Sequence, residues 1–212
     1  MQRIPILNQV ITDYLERLIP IRDNVLRDME ERAAEYSFPI VGPLVGQFLK
    51  QYTILLKPNR IMELGSGYGY SAVWFARASD DRCEIFCTDG DEKNKLLAER
   101  YFSEARLDNK IKFIVGDAVS IMNSIEGEFD IIYNDIDKHG YPEAFRNSVP
   151  RLRKGGILIT DNTLWKGWVT HEKSEDRNTI GVNEYARLAF SDPRVFSMVI
   201  PIRDGVTVSI KL

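Results

Sequence analysis

Cysteine is scarce in this chain of 212 residues, which contains only Cys83 and Cys87. Two cysteines exclude a disulfide framework. They lie an even number of residues apart in the extended-looking segment CEIFCTD, so both can point to one side. With only two histidines in the chain, His139 and His171, no further Cys/His group completes a metal site around them. Buried structural thiols in a reducing, cytoplasmic setting are the expectation, and both histidines read as surface or loop residues. Long hydrophobic runs are also missing. Every apolar stretch is strand-sized and interrupted by charge, so no membrane span is expected. The opening MQRIPILNQVITDYLERL lacks the unbroken apolar block and small-residue cleavage site of a signal peptide. Nor is there a large excess of one charge: 28 Lys and Arg face 31 Asp and Glu, for a net charge of −3. General attraction to nucleic acid or to an anionic membrane is therefore not expected. Repeats, low-complexity tracts and Pro/Gly/Ser linkers are absent, so residues 1–212 read as one domain of ordinary globular composition.

What is present divides into two rhythms. Up to residue 57 the apolar residues follow a helical period: Ile11, Leu15 and Leu18, then Val25 and Met29, then Leu44, Val45, Phe48, Leu49 and Tyr52. Pro20 and the stretch from Phe38-Pro39 to Gly42-Pro43 punctuate these helices. From residue 58 short apolar segments alternate with helical ones. Strands are expected at Arg60–Leu64, Glu84–Thr88, Ile111–Val115, Phe129–Tyr133 and Gly156–Thr160. Helices are expected at Tyr70–Ala78, Asp91–Ala105 and Pro142–Leu152. This alternation predicts an α/β fold with a mostly parallel sheet covered on both faces. At the end, Val195–Ile200 and Gly205–Lys211 are separated only by Pro-Ile-Arg-Asp-Gly, which reads as an antiparallel hairpin. Seven strands in all, ending this way, are expected of the methyltransferase variant of the Rossmann-like fold.

The run Ile61-Met62-Glu63-Leu64-Gly65-Ser66-Gly67-Tyr68-Gly69-Tyr70-Ser71 follows a strand and opens a helix, the setting in which a glycine loop binds a nucleotide. A dinucleotide fingerprint requires glycine where this chain has Tyr70. The spacing E-x-G-x-G-x-G suits instead a ligand carrying a cationic sulfonium and an amino group, because Glu63 supplies negative charge. Asp89 ends the next strand, where a carboxylate can accept both ribose hydroxyls; capping of the following helix is its plainer reading. Gly116-Asp117-Ala118 ends the third strand and would border the adenine, while Asp117 is equally suited to cap a helix.

The fourth strand ends in Tyr133-Asn134-Asp135-Ile136-Asp137-Lys138 and the fifth in Thr160-Asp161-Asn162. The carboxyl ends of adjacent parallel strands converge on the crevice where such sheets bind ligands. Asp135, Asp161 and the Asn162 carbonyl form an all-oxygen set suited to a hard cation, Mg²⁺ first, with Mn²⁺ or Ca²⁺ as alternatives. Three unrelated strand-end caps would give the same letters. Lys138 lies one turn after Asp135, placed either to take a proton from a substrate hydroxyl or to sit in solvent.

Several segments together resemble the caffeoyl-CoA/catechol O-methyltransferase family, and more closely its small bacterial members. They are PIVGPLVGQFL (Pro39–Leu49), IMELGSGYGYSA, IFCTDGDEKN, IVGDA, FDIIYNDIDK, LRKGGILITDNTLWKG and DPRVFSMVIPIRDGVTVSIK. The resemblance implies that Glu63, Gly65, Ser66, Ser71, Asp89, Ala118 and Asp137 contact S-adenosylmethionine, with Val41 closing over its methionine end. It implies that Asp135, Asp161 and Asn162 hold the divalent cation and that Lys138, beside Asp135, is the catalytic base. A small hydroxyl acceptor, catechol-like or phenolic, and a homodimer are implied too. Trp165, Trp168 and Tyr68 would either wall an aromatic acceptor or serve packing. The family's departures here are on the acceptor side, in the loop TLWKGWVTHEKSEDRN and the first forty residues. An alternative acceptor is a hydroxylated nucleoside in tRNA, for which Arg146, Arg151, Arg153 and Lys154 would form a basic patch. A non-catalytic S-adenosylmethionine-binding protein or a dinucleotide enzyme would be the remaining readings. The complete Asp-Asp-Asn-Lys set argues against the first and Tyr70 against the second.

Overall fold

A computed structural model describes residues 4–171 and 174–212. Met1, Gln2 and Arg3 of the N-terminal segment, and Glu172 and Lys173 of the acceptor-side loop, lie outside the described residues. Three helices precede the sheet: α1 (Gln9–Leu18), α2 (Asn24–Tyr36) and α3 (Gly42–Leu56). Each boundary has a local cause. Asn8 and Asp23 cap α1 and α2 by accepting hydrogen bonds from the free N–H groups of the first turn. Ser37 ends α2 in the left-handed conformation, and Pro43 sits in the first turn of α3, where no N–H partner is needed.

The α/β part follows as β1 (Arg60–Leu64), α4 (Tyr70–Ala78), β2 (Glu84–Asp89), α5 (Glu92–Glu104), β3 (Ile111–Val115), α6 (Ala118–Ser124), β4 (Phe129–Asn134), α7 (Tyr141–Arg151), β5 (Leu152–Thr160), α8 (Arg177–Ser191), β6 (Val195–Ile200) and β7 (Val206–Lys211). Short 3₁₀ turns at Lys138–Gly140 and Trp165–Thr170 follow β4 and β5. The seven strands form one sheet in the order β3-β2-β1-β4-β5-β7-β6. Strands β1 to β5 run parallel, and β7 is antiparallel to both β5 and β6. The expected architecture is thus the observed one, and the strand order reverses between β1 and β4, the switch point where such sheets open a crevice.

Alternation along the strands sends side chains to two cores. Ile61, Ile85, Ile131, Tyr133 and Ile159 pack toward α3 and α4, whereas Met62, Leu64, Ile132 and Leu158 pack toward α6, α7 and α8. Most boundaries fall within one residue of expectation, and the largest departure is the start of β5. β5 begins at Leu152, not Gly156, because Leu152 pairs with Phe129 and a register shift lets the strand accommodate Arg153 and Lys154. Those charges are tolerated since Arg153 Nε donates to Asp130 Oδ1 at 2.5 Å. Asp130 Oδ2 in turn accepts from the N–H groups of Asn59 and Arg60 at 2.7 and 2.8 Å, tying the amino ends of β1, β4 and β5 together. The apolar stripe of α1 is not covered by the core. α1 buries no residue fully, and Val10, Ile11, Tyr14 and Leu18 are exposed. Among the described residues no helix is long and apolar enough to cross a membrane.

Candidate active site

A cavity of about 1120 Å³ opens at the carboxyl ends of β1 to β5. It is lined at one end by the β1–α4 loop, Asp89 and Gly116–Val119, and at the other by Asp135–Gly140, Asp161, Asn162, Arg177 and Arg203. Val41 borders it from the start of α3.

The glycine loop is shaped by close approach. Gly65 has φ +81°, and a Cβ there would stand 2.7 Å from the carbonyl oxygen of Asp135. The end of β1 therefore lies directly against the strand end that carries the acidic set. Beneath the loop, Ser66 N donates to Thr88 O at 2.8 Å and Ser66 Oγ accepts from Thr88 N at 3.1 Å, locking it onto β2. Asp89 Oδ2 accepts from Gly67 N at 3.1 Å, and its Oδ1 accepts from Asp91 N and Asn94 Nδ2. Asp91, not Asp89, caps α5; Asp89 holds the loop and faces the cavity. Asp117 does cap α6, through Ser120 N, and its carboxyl is held below its ordinary value by that serine, so its capping and cavity-lining roles coexist.

Glu63 is wholly buried on β1. Its Oε2 accepts from the Cys87 thiol at 3.3 Å, and Oε1 has no hydrogen-bond partner. Burial pushes the carboxyl up to about 7, opposed by the hydroxyls of Ser71 and Ser66 and by Cys87. An unpartnered buried carboxylate oxygen is costly unless a cation or donor meets it. A ligand with an ammonium or sulfonium group would supply that partner. Cys83 and Cys87 are both free and buried, as their segment suggests.

At the other end, Asp161 is 1% exposed. Its Oδ1 accepts from Asn162 N at 2.8 Å and its Oδ2 from the Tyr133 hydroxyl at 3.4 Å. Burial, then the nearby charge of Asp135, push it up to about 7. Asp135 is also raised by burial, while Lys138, donating to Asp135 Oδ1 at 2.9 Å, favours its ionised form. Two carboxylates that raise one another's proton affinity form a site that a divalent cation would relieve. Asn162 takes φ +52°, a left-handed conformation that bends the chain immediately after Asp161. Among the described residues no group of three or more His, Cys, Asp or Glu side chains is placed to hold a metal ion. The set here is two aspartates with an amide, and its all-oxygen chemistry fits a hard cation.

Other expected residues take less direct places. Asp137 is exposed on the rim and begins the 3₁₀ turn of Lys138. Tyr68 is buried, donating to Met29 O at 2.7 Å and packing on Phe38, so it serves the core rather than an acceptor wall. Trp165 and Trp168 are half-buried, meeting edge to face with centroids 5.9 Å apart. The Lys138 ammonium lies 5.9 Å from the Trp165 ring centre and 5.4 Å from that of Tyr141. His139 and His171 are exposed.

Four contributors have no signal in the linear pattern. Tyr141 supports the acidic strand end by donating to Asp161 O at 2.8 Å. Gly181 of α8 lies against the Lys138 turn so closely that a Cβ would be 2.4 Å from Lys138 O and 2.6 Å from His139 Cα. Arg203, exposed in the hairpin turn, donates to the carbonyls of Ile40 and Val41, and Arg177 opens α8 at the cavity rim. By contrast, most of the candidate basic patch is engaged within the fold. Arg146 pairs with Glu184, Arg151 donates to the carbonyls of Met122, Ile125 and Gly127, and Arg153 binds Asp130.

Strand order, the terminal hairpin and the crevice at the β1/β4 switch point define a methyltransferase of the Rossmann-like class. A model of the O-methyltransferase family matches residues 22–212, and the chain belongs to that family. It is 28% identical over 214 residues to a caffeoyl-CoA O-methyltransferase of Stellaria longipes, covering 95% of this chain and 88% of the relative. It is 28% identical over 181 residues to a catechol O-methyltransferase of Niastella koreensis, covering 82% of each. The crystal structure of an O-methyltransferase from Bacillus cereus, solved in complex with SAH, superposes with a TM-score of 0.88 over 96% of this chain and 97% of that one, at 24% identity.

Proposed function

We propose that this O-methyltransferase transfers a methyl group from S-adenosylmethionine to a hydroxyl of a small catechol-like or phenolic acceptor, with a divalent cation held by Asp135, Asp161 and Asn162. The observation that carries this is one cavity lined by the glycine loop and Asp89 as well as by Asp135, Asp161 and Lys138, with the buried, half-unpartnered Glu63 lying behind its wall beside Ser66 and Ser71. Likeness to a caffeoyl-CoA and a catechol O-methyltransferase supports the acceptor class.

Bound S-adenosylmethionine supplies an already activated methyl group, and a bound cation supplies acidification and orientation of the acceptor hydroxyl. The chain's own residues do the rest. Glu63 offers negative charge to the cationic ligand, and Asp89 offers acceptors to its ribose. Gly65, Ser66 and Ser71 shape the loop around the ligand, Ala118 and Asp117 border its base, and Asp137 and Val41 flank its amino-acid end. Lys138, as the neutral amine, takes the proton from the acceptor oxygen, and the ammonium it becomes is met by the Asp135 carboxylate and by the rings of Trp165 and Tyr141. Most acceleration comes from holding nucleophile and methyl group in line.

Excess chelator should abolish methyl transfer to catechols while calorimetry still shows S-adenosylmethionine binding. Added Mg²⁺ or Mn²⁺ should restore the rate, except in Asp161→Ala. Full activity in excess chelator would remove the metal from the reaction. The exposed apolar face of α1 is accounted for by a homodimer, which light scattering at micromolar concentration tests; a clean monomer mass would defeat it. Two free buried thiols fit a cytoplasmic setting.

A further inference from the structure

Two cationic side chains at the acceptor end of the cavity have no task in the reaction described above. Arg203 reaches back from the hairpin, and a single nitrogen, Nη1, serves both the Ile40 and Val41 carbonyls. A guanidinium offers five N–H donors in a rigid fork. Among the described residues, the Nε and Nη2 groups of Arg203 donate to nothing. Arg203 lines the same cavity as Asp135 and Asp161, and its charge favours the ionised forms of both carboxyls. Arg177 is the first residue of α8, exposed and lining the same cavity. Among the described residues it makes no hydrogen bond or ion pair. The third cation here, Lys138, is already engaged by Asp135.

A neutral catechol would leave these two forks facing water. An acceptor whose second substituent is a carboxylate would meet planar, bidentate donors matched to its geometry. We propose that Arg203 and Arg177 are specificity-determining residues that select an acceptor bearing an anionic group, a dihydroxy-aromatic carboxylate, with the anion turned away from the acidic set. This rests on the O-methyltransferase reading and narrows it. The ring hydroxyl goes to Asp135, Asp161 and Lys138, while the carboxylate goes to the arginines. Net-charge complementarity also orients the acceptor, since a carboxylate directed toward Asp135 and Asp161 would be repelled.

The experiment compares 3,4-dihydroxybenzoate, its uncharged methyl ester and the corresponding phosphonate, both as methyl acceptors and as ligands in calorimetry with SAH and Mg²⁺ present. The wild-type protein should prefer the acid to the ester by about tenfold or more in kcat/KM, the order expected for charge-assisted hydrogen bonds. Arg203→Met and Arg177→Met should each reduce that acid-to-ester ratio several-fold, mainly through KM. Arg203→Lys, which keeps charge without the fork, should fall between. Preference for the phosphonate would uphold anion selection and assign a dianionic acceptor. Equal use of acid and ester by the wild type would overturn the inference. So would Arg203→Met lowering both rates by one factor, which would leave Arg203 only a clamp on Ile40 and Val41. If none of the three is methylated, the acid-over-ester ratio in binding still decides the arginines' role, and it is then the catechol reading that fails.

Discussion

Replacing Glu63 with glutamine removes a buried proton-binding group while keeping its size. In the ligand-free protein the carboxyl titrates at about 7 against an ordinary value of 4.5. Between those values the folded chain holds a proton that the unfolded chain has released, so stability falls as pH rises. The contribution is fully present below 4.5 and is lost once pH has passed 7. The gap corresponds to on the order of 3 kcal/mol of folding free energy. Asp161, also raised to about 7, adds a loss in the same direction and remains in the variant. Denaturant unfolding at pH 5, 6, 7 and 8 without ligand should therefore show a steep decline in the wild-type protein and a shallower one in Glu63→Gln. Binding supplies the second readout. A cationic ligand meeting Oε1 favours the carboxylate, so S-adenosylmethionine should bind more tightly as pH rises from 6 to 8. Calorimetry in buffers of different ionisation enthalpy should then detect proton release near pH 6.5, which Glu63→Gln loses. Parallel unfolding curves for the two proteins, together with unchanged proton release, would refute the assignment of this charge to the ligand.

Lys138→Ala should bind cofactor normally yet turn over about 10²–10⁴ times more slowly, the range for a positioned base; the deficit should shrink at high pH as the acceptor ionises unaided, which a pH–rate profile shows. Asp89→Ala should weaken S-adenosylmethionine by about 1.5–3 kcal/mol, measured by calorimetry, since it loses acceptors for the ribose along with its hold on Gly67. Gly181→Ala places a methyl against the Lys138 turn and should cost about 1–3 kcal/mol of stability. Methyl transfer should fall further than the folded fraction does if Lys138, whose backbone is displaced, is the proposed base; proportional losses would make Gly181 a packing residue only.

The strands were readable because β1 to β5 are short β-branched or aromatic runs bounded by turn residues, and a buried parallel sheet imposes that composition. The acidic set was readable because Asp135 and Asp161 end adjacent strands, so sequence position alone predicts their convergence. Gly181 was not: its importance is a 2.4 Å approach to a backbone 43 positions earlier, and a helix glycine carries no mark of its neighbour. Arg203 was hidden for a similar reason, since a hairpin turn read locally is only a turn. It becomes part of the site because β7 lies between β5 and β6. The stripe on α1 shows what a local period leaves open. Periodicity reports an apolar face but does not say that the protein's own core will cover it. Trp165 and Trp168, which the sequence leaves open between an acceptor wall and packing, pack edge to face on one another, with Trp165 also beside the Lys138 ammonium.

The seam around Asp130 has a consequence for how this protein tolerates change. It joins three strands at their amino ends, and along β4 it stands five residues from Asp135, a separation of roughly 16 Å. Energetic effects at sites that far apart, with no shared partner, add nearly independently. Substitutions near Asp130, Arg153 and Asn59 can therefore raise or lower the melting temperature without altering acceptor choice, while the loops at the other end can be rebuilt on an unchanged frame. A directed-evolution campaign that first strengthens this seam would gain tolerance for the destabilising loop changes that new acceptors demand.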